Sequence, residues 1–129
     1  MCLVLIALDT VPGYPVVLLA NRDEFHARPA APLHWWPDRP CVAAGRDRRA
    51  NGTWLGVRRD GAFATVLNAP GHPPPGCEAP SRGEIVPAFL AASGGHGDVQ
   101  GIQSRAGSYA GFHLLAGSTT DAWYAGHAV

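Results

Sequence analysis

The sequence of 129 residues predicts an α+β fold in a single domain, residues 1–129, with an antiparallel sheet and one or two helices. Three observations support this class. Short apolar runs of strand length follow one another with turn residues between them. One segment after residue 80 has the apolar spacing of a helix. The chain also contains 16 Gly and 12 Pro, which are typical of short elements joined by tight turns.

The first two predicted strands are the apolar segments Cys2–Leu8 and Pro15–Ala20. Nearly every position in them is apolar, rather than every second one, so both strands are expected to be buried on both faces. Pro12-Gly13 lies within a predicted turn over residues 9–14. The simplest arrangement therefore pairs the two strands antiparallel.

The middle of the chain is predicted to contain one long connection and one hairpin. Residues 21–50 are expected to be irregular, and a connection of that length in a compact domain is usually functional. The hairpin strands are residues 53–58 and 62–67, joined at Asp60-Gly61 by a turn resembling type I′. The proline-rich residues 68–80 are expected to form a loop.

The last third is predicted to contain helices and a final hairpin. Ser81 and Glu84 have the spacing of a capping box, and the helix that follows has an apolar face and ends near Gly94-Gly95. A second short helix is expected over residues 99–104. Residues 109–116 and 122–125 are predicted to pair as strands, which gives roughly six strands in all.

Composition excludes several classes of protein. The ten basic residues, all Arg, balance ten acidic ones, so the neutral chain lacks the basic surface typical of nucleic-acid binding. Neither a secretory signal nor a membrane span is expected, because Asp9 and Pro12 interrupt the apolar start. The three cysteines are widely spaced and the six histidines have no helical metal-site spacing. No metal or cofactor, no disulfide framework and a cytoplasmic location are therefore expected.

Cys2 is the first candidate catalytic residue. Removal of Met1 would make it the N-terminal residue, with a thiol nucleophile and an α-amino base on the same residue. Their ordinary pKa values, near ~8.5 and ~7.7–8.0, lie close enough for easy proton transfer. The alternative is a small buried side chain at the start of a strand, which is the commoner fate of a free cysteine.

The polar segment Asn21-Arg22-Asp23-Glu24 directly follows the second predicted strand. If the first two strands pair antiparallel, Arg22 and Asp23 lie beside Cys2. An arginine fork and a carboxylate can there orient a thiol and an amine by charge-assisted hydrogen bonds. The alternative interpretation is an ordinary polar surface turn.

Further candidates could bind a substrate. Asn68 ends a predicted strand and could donate to an oxyanion, although a turn-forming Asn is the commoner role at such a position. Arg82 is an optional contact for an anion. Trp35, Trp36 and Trp54 either pack the long connection onto the sheet or line an apolar substrate pocket.

Taken in order, five motifs resemble the NRDE family, which is the family of transport and Golgi organisation protein 2. They are Met1-Cys2, Asn21-Arg22-Asp23-Glu24-Phe25 with Arg28-Pro29, the run Gly52-Thr53-Trp54-Leu55-Gly56-Val57, Asn68, and Ser81-Arg82-Gly83-Glu84. The resemblance covers residues 1 to about 92 and is thinner beyond Gly94. One departure is Asn51-Gly52, where the family more often has Gly-Gly.

The resemblance implies an N-terminal-nucleophile hydrolase-like αββα sandwich, similar to the choloylglycine and penicillin V acylase group. In that group an N-terminal Cys attacks an amide, an Arg and an Asp flank it, and an Asn holds the oxyanion. The corresponding residues here are Cys2, Arg22, Asp23 and Asn68. Family members are about twice as long, so the chain is expected to be the N-terminal portion of an incomplete sandwich. A further Asn and Arg of the acylase site would then come from the missing half.

Two functions follow as hypotheses. The first is hydrolysis of a C–N amide bond in a small acylated compound, with Cys2 as nucleophile. The second is non-catalytic binding or trafficking of haem or a lipid metabolite, with haem as ligand rather than cofactor and Cys2 or His26 as a potential iron ligand. A small-molecule ligand is expected in both cases. An incomplete fold would require self-association or a partner chain that supplies the missing half.

Overall fold

The computed structural model describes residues 2–127 and shows an α+β fold. Two helices lie between the sixth and seventh strands, and a 3₁₀ turn at Arg82–Glu84 precedes the first helix. The strands are β1 (Leu3–Val11), β2 (Tyr14–Asn21), β3 (Ala30–Trp36), β4 (Arg39–Asp47), β5 (Leu55–Arg58), β6 (Phe63–Asn68), β7 (Phe112–Gly117) and β8 (Ala122–Gly126), and the helices are α1 (Ile85–Ala91) and α2 (His96–Ser104).

The strands form two sheets of different size. β1 and β2 make a two-stranded sheet, and β3 to β8 make a six-stranded sheet in simple sequence order, with every neighbouring pair antiparallel. The helices cover one face of the larger sheet and the β1–β2 hairpin lies towards the other. The expected αββα sandwich would add a second helical layer outside the hairpin, and that layer stays a prediction.

The hydrophobic core lies between the six-stranded sheet and the helices. Val42 and Ala44 of β4 and Leu114 of β7 are fully buried there against Phe89 and Leu90 of α1. Full burial of side chains of this size contributes roughly 1.5–3 kcal/mol each. The helical side of the sheet is therefore the stable part of the described chain.

The antiparallel pairing of the first two strands is confirmed, because Leu3 pairs with Asn21 and Leu8 with Val16. Their expected burial on both faces is wrong. Leu3, Leu5 and Leu19 are 55%, 57% and 63% exposed. The two-stranded sheet is covered on one side only, so its continuous apolar pattern leaves an outer face of large hydrophobic side chains in contact with solvent.

The long irregular connection predicted for residues 21–50 is also wrong, since most of it forms β3 and β4. Prolines obscured both strands. Pro32 lies in β3, at the edge of the sheet, where the register shifts between Ala31 and His34. Because an edge strand can leave one N–H side unpaired, it accepts a proline that a central strand would exclude.

The remaining elements follow the prediction closely, apart from two local differences. The β5–β6 connection is not type I′, because that turn needs positive φ at both central residues and only Gly61 has it, at 93°. At the helix start, Ser81 Oγ accepts from the N–H of Gly83, 3.2 Å away, rather than from that of Glu84. The second helix, the proline-rich loop and the final hairpin are confirmed.

Two of the sequence motifs meet through their glycines. The N–H of Thr53 donates to the carbonyl oxygen of Gly83 over 2.9 Å. A Cβ atom at Gly52 would lie 2.3 Å from that same oxygen, so only glycine fits at this position. Asn51, just before it, has φ of 57°, a conformation that Asn tolerates better than most residues. The contact holds the start of β5 against the turn that carries Arg82.

Candidate active site

Antiparallel pairing of β1 and β2 brings Cys2 beside the segment that follows β2. Leu3 N–H donates to Oδ1 of Asn21 over 2.9 Å, which aligns the two strand ends. The backbone N–H of Asp23 then donates to Sγ of Cys2 over 3.2 Å. Cys2 Sγ also lies 3.8 Å from the carbonyl oxygen of Asp23, so both backbone groups of Asp23 face the sulfur.

The predicted catalytic residues line one cleft of about 150 Å³. Its walls include Cys2, Arg22, Asp23, Asn68, Trp54 and Arg82. A wider groove of about 640 Å³ adjoins it and shares four of these residues, Cys2, Asp23, Asn68 and Arg82. The groove continues along the proline-rich loop as far as Pro74. Cys2 therefore lies where a small polar pocket opens into a larger space.

A network of four charged side chains forms the floor of the cleft. Asp47 Oδ2 lies 3.0 Å from Nη2 of Arg22 and 2.5 Å from Nε of Arg28. Glu24 Oε2 is 3.7 Å from both arginines. Asp47 Oδ1 accepts two backbone N–H groups, those of Arg49 and Ala50, both over 2.9 Å. Two arginines thus share two carboxylates, and the network fixes the orientation of Arg22.

Asp47 is ionised throughout the physiological pH range. Burial would raise the pKa of its carboxyl group, but the hydrogen bond from Arg28 and the N–H groups of Ala50 and Arg49 outweigh it, and lower the pKa to about 2. The same hydrogen bond raises the pKa of the Arg28 guanidinium. The pair is therefore charged at any pH at which the protein would act.

Asp47 is a site residue that was not predicted from the sequence, because the arginine-rich segment around it is typical of a solvated loop. The structure shows a buried carboxylate at the end of β4, 7% exposed. Arg28, although part of a recognised motif, had no role assigned either. The available signal was a single acidic residue among three arginines, because a buried carboxylate needs cationic partners.

Arg82 supplies a further positive charge near Cys2. Its Nη1 donates to the carbonyl oxygen of Gly111 over 2.9 Å, which holds the guanidinium in place. Burial lowers the pKa of Arg82, while its charge interactions with Cys2 and Glu24 act in the opposite direction. The side chain can therefore contact an anionic group of a ligand in the cleft.

Asn68 lies at the end of β6, where it pairs with Phe112 of β7. The residue is exposed and lines the groove beside Cys2. Its side-chain amide is thus available to a ligand in that groove.

The three tryptophans predicted to bind a substrate have separate locations. Trp54 lines the cleft, and the guanidinium carbon of Arg22 lies 4.4 Å from the centre of its ring. Trp36 is buried in the core at 1% exposure and donates from Nε1 to the carbonyl oxygen of Ala44. Trp35 stacks under Arg59 at 3.9 Å. The structure therefore places Trp54, but neither Trp35 nor Trp36, at the cleft.

Within residues 2–127, no three or more His, Cys, Asp or Glu side chains are grouped so that they could hold a metal ion. The helices in this part of the chain are also too short and too polar for any of them to cross a membrane.

With this geometry established, comparison with known proteins defines the family. The family model described as Transport and Golgi organisation 2 matches residues 1–127. The chain therefore belongs to the Transport and Golgi organisation 2 family, as the five motifs predicted. The match also includes the segment beyond Gly94, where the resemblance seen in the sequence was thinner.

Curated relatives support the same assignment. The chain is 32% identical to Transport and Golgi organization protein 2 homolog of Bos taurus over 124 residues, which are 90% of this chain and 45% of the relative. It is 30% identical to the Homo sapiens homolog over 130 residues, 95% of this chain and 47% of the relative. The Drosophila melanogaster protein is 35% identical over 99 residues, 70% of this chain and 35% of that protein. The chain thus spans about half the length of the curated relatives it matches.

Proposed function

We propose that Cys2 is the nucleophile of an N-terminal-nucleophile hydrolase that cleaves a C–N amide bond in a small acylated compound. The observation that carries the proposal is the convergence of Cys2, Arg22, Asp23 and Asn68 on one cleft, although they are separated along the sequence. A thiol, two charged groups and an amide donor are the parts that acyl transfer needs.

The proposed reaction begins with the removal of Met1, which frees the α-amino group of Cys2. That amine accepts the thiol proton, and Sγ bonds to the carbonyl carbon of the substrate. Collapse of the tetrahedral intermediate breaks the C–N bond, and the leaving amine takes the proton. Water then attacks the thioester, releases the carboxylic acid and restores the thiol. No oxidant, reductant or metal is required.

Each neighbouring residue has a role in this scheme. Asp23 orients the α-amine, and its backbone N–H donates to Sγ over 3.2 Å. Arg22, fixed by Asp47, adds positive charge beside them. Asn68 donates to the oxyanion, together with a backbone N–H. By analogy with the acylase group, a further Asn and Arg would come from outside residues 1–129.

Intact mass and activity together test the proposal. The chain purified from its own type of cell is expected to lack Met1. Against a panel of N-acyl amides, Cys2→Ala is expected to abolish turnover and Cys2→Ser to reduce it strongly. Cys77→Ala, at an exposed cysteine outside the cleft, is the matched control and should leave turnover unchanged. Retention of Met1, or unchanged turnover in Cys2→Ala, would contradict the proposal.

A carrier of haem or a lipid metabolite is the second candidate. It is favoured by a separate apolar space beside Trp54, because a carrier needs an apolar pocket but no nucleophile. In this case Met1 is retained, and titration with haem shifts the Soret band. The absence of a Soret shift would count against haem as the ligand. Cys2, Cys41 and Cys77 are all free, which a reducing compartment favours, so we propose a cytoplasmic location.

A further inference from the structure

Just beyond the end of β8, one further pair of residues joins this strand to β7. The backbone N–H of His127 donates to the carbonyl oxygen of Phe112 over 3.1 Å, as in a regular antiparallel pair. The return bond is different, because the N–H of Phe112 donates to the ring atom Nδ1 of His127 over 3.3 Å. One bond at the start of β7 therefore depends on a nitrogen that can bind a proton.

Gly126 directs the imidazole of His127 to this place. Its φ of 147° turns the chain out of the strand, and a Cβ atom there would lie 2.3 Å from the carbonyl oxygen of Phe112. The side chain of Gln103 in α2 also holds Gly126, since Nε2 donates to its carbonyl oxygen over 3.0 Å and Oε1 accepts from its N–H over 2.6 Å. The position of His127 is thus fixed by the backbone before it.

The start of β7 in turn holds parts of the candidate active site. The carbonyl oxygen of Gly111, the residue before Phe112, accepts from Nη1 of Arg82 and from the N–H of Ala69, both over 2.9 Å. Ala69 follows Asn68, and Arg82 lines the cleft together with Cys2. A shift of the backbone at residues 111 and 112 would therefore displace the guanidinium.

Protonation of His127 is incompatible with its bond to Phe112. A neutral imidazole that accepts at Nδ1 carries its proton on Nε2, whereas a protonated imidazole donates from both nitrogens. Nδ1–H would then face the N–H of Phe112, donor against donor, and the bond would be lost. Histidine side chains change charge between about pH 5 and pH 8.

Other titratable or charged side chains surround this bond. They are His72, Tyr109, His113, Tyr124 and, through Gly111, Arg82. The ring centre of His72 lies 4.7 Å from that of His127, so protonation of both rings would place two like charges together. Tyrosines ordinarily titrate near ~10 and stay neutral in this pH range. His113 accepts or donates in its own bond with Tyr124, over 2.7 Å.

We propose that His127 is a positioning residue for Arg82, and that it acts only while its imidazole is neutral. Neutral His127 holds the start of β7, and Gly111 then holds the guanidinium at the cleft beside Cys2. Protonation releases this segment, so the cleft loses a fixed cation as the pH falls through the histidine range. The inference goes beyond the proposed function, because it concerns the charge near Cys2 and requires no amide hydrolysis.

Alkylation of Cys2 by iodoacetate and by iodoacetamide tests the proposal, with each cysteine measured by peptide mass spectrometry. Both reagents attack the same thiolate, but only iodoacetate is an anion, so the ratio of the two rates reports a cation held nearby. Divided by the same ratio at the exposed Cys77, it is expected to be about threefold or more at pH 7.5. It should fall at least twofold by pH 5.5.

The direction of this change separates His127 from His72. His72 lines the groove beside Cys2, so its own protonation would attract iodoacetate and raise the ratio at low pH. A fall requires that the site loses a cation. A ratio that stays constant or rises between pH 7.5 and pH 5.5 would overturn the proposal.

Two substitutions separate the acceptor from the charge. His127→Asn keeps an acceptor near the place of Nδ1 and cannot gain a proton, so the ratio should stay high at both pH values. His127→Phe keeps a ring against Phe112, now 5.5 Å away between centres, and removes the acceptor. Its ratio should already be low at pH 7.5. His113→Asn, which removes a neighbouring histidine, is the matched control and should show the pH dependence of wild type.

Contrary results for these variants would overturn the proposal. They are wild-type pH dependence in His127→Asn, or a wild-type ratio in His127→Phe at pH 7.5. Hydrogen exchange followed by NMR checks the fold, and the amide of Phe112 should exchange faster in His127→Phe than in His127→Asn. If His127→Phe does not fold, the pH profile of His127→Asn against that of wild type remains decisive.

Removal of the guanidinium tests the route by which His127 acts. Arg82→Met should lower the ratio at pH 7.5 and make it insensitive both to pH and to His127→Phe. A response to His127 that persists without Arg82 would overturn the positioning role. The hydrolase proposal is tested separately: a chain with this pH dependence and no amide hydrolysis supports His127 and removes the hydrolase, whereas hydrolysis with a pH-independent ratio does the reverse.

Discussion

Asp47 accepts a hydrogen bond of 3.0 Å from Arg22, 25 residues earlier in the chain. The contact joins the end of the β1–β2 hairpin to the end of β4, and so connects the two sheets beside Cys2. Asp47 is almost fully buried, and Arg22 also packs over Trp54 of the larger sheet. The position of Cys2 relative to its neighbours therefore depends on a charge pair at the junction of two sheets.

Loss of the Arg22–Asp47 contact should destabilise the β1–β2 hairpin more than the six-stranded sheet. Arg22→Ala is expected to lower the free energy of hairpin opening by about 2 kcal/mol, because it removes a charged hydrogen bond and the contact with Trp54. Hydrogen exchange should show faster exchange in β1 and β2, with little change in β6 and β7.

Arg46→Ala is the matched control for that experiment. Arg46 also packs over a tryptophan, Trp36, at 4.1 Å, and pairs with a carboxylate, that of Asp38, at 2.6 Å. These contacts lie around β3 and β4 and do not involve the hairpin. Equal loss of hairpin protection in the two variants would show that Arg22 does not hold the hairpin in place.

Asp47→Asn should make stability less dependent on pH. The pKa of Asp47 is about 2 in the folded chain, below its ordinary value of 3.8. A lowered folded-state pKa stabilises the protein above the unfolded-state pKa, and the contribution disappears as the pH falls towards 2. The shift corresponds to about 2 kcal/mol at neutral pH. Denaturant unfolding should show a loss of about that size in Asp47→Asn at neutral pH, and a difference from wild type that shrinks between pH 4 and pH 2.

Asp60→Asn is the control that distinguishes the pH-dependent stabilisation by Asp47 from a general sensitivity of the fold to acid. The pKa of Asp60 is also lowered to about 2, by its hydrogen bond to Arg58, but its side chain is 58% exposed. Solvent screening should make its contribution small and sensitive to salt. A pH dependence of the same size for both variants would contradict the special role of Asp47.

Gly52→Ala should destabilise the fold strongly. The new Cβ would lie 2.3 Å from the carbonyl oxygen of Gly83, and backbone on both sides would have to move. We expect a loss of about 2 kcal/mol or more in unfolding free energy. Gly97→Ala is the control, because it lies in α2 with no atom within 4 Å of its Cβ position, and it should stabilise by up to ~1 kcal/mol. A neutral Gly52→Ala would show that the two motifs are not in close contact.

Asn68→Ala should reduce catalysis without disturbing the fold. Removal of an oxyanion donor typically lowers kcat by about 10²–10³-fold, and KM should change little because the interaction forms mainly in the transition state. Steady-state kinetics on a cleaved N-acyl amide measures both values. Gln100→Ala, at an exposed position of α2, is the control and should behave as wild type. A change in KM alone would assign Asn68 to substrate binding instead.

Much of the fold was predictable because local signals agreed with the final structure. The pairing of β1 with β2, the β5–β6 and β7–β8 hairpins and both helices have distinct apolar patterns bounded by turn residues. β3 and β4 were missed because prolines interrupt them, and only their place at and near a sheet edge makes those prolines acceptable. Edge position is a property of the whole sheet and cannot be inferred from the segment itself.

The site was predictable to the extent that topology alone defined it. Antiparallel pairing of two strands was enough to place Arg22 and Asp23 beside Cys2. Asp47 was missed because its burial results from the approach of the hairpin to the end of β4. The exposure of Leu3 and Leu5 was not predicted, because an apolar strand sequence does not show whether other residues of the chain pack against both of its faces.

Site-resolved mass spectrometry of the chain after incubation with p-nitrophenyl octanoate tests the central claim most directly. We expect loss of Met1 and the attachment of one octanoyl group. Cys2 should be acylated faster than the exposed residues Cys41 and Cys77, with nitrophenolate released in equal amount. Cys2→Ala should lose that fast acylation. Acylation of Cys41 or Cys77 at the same rate as Cys2, or none on Cys2, would contradict a nucleophilic role for Cys2.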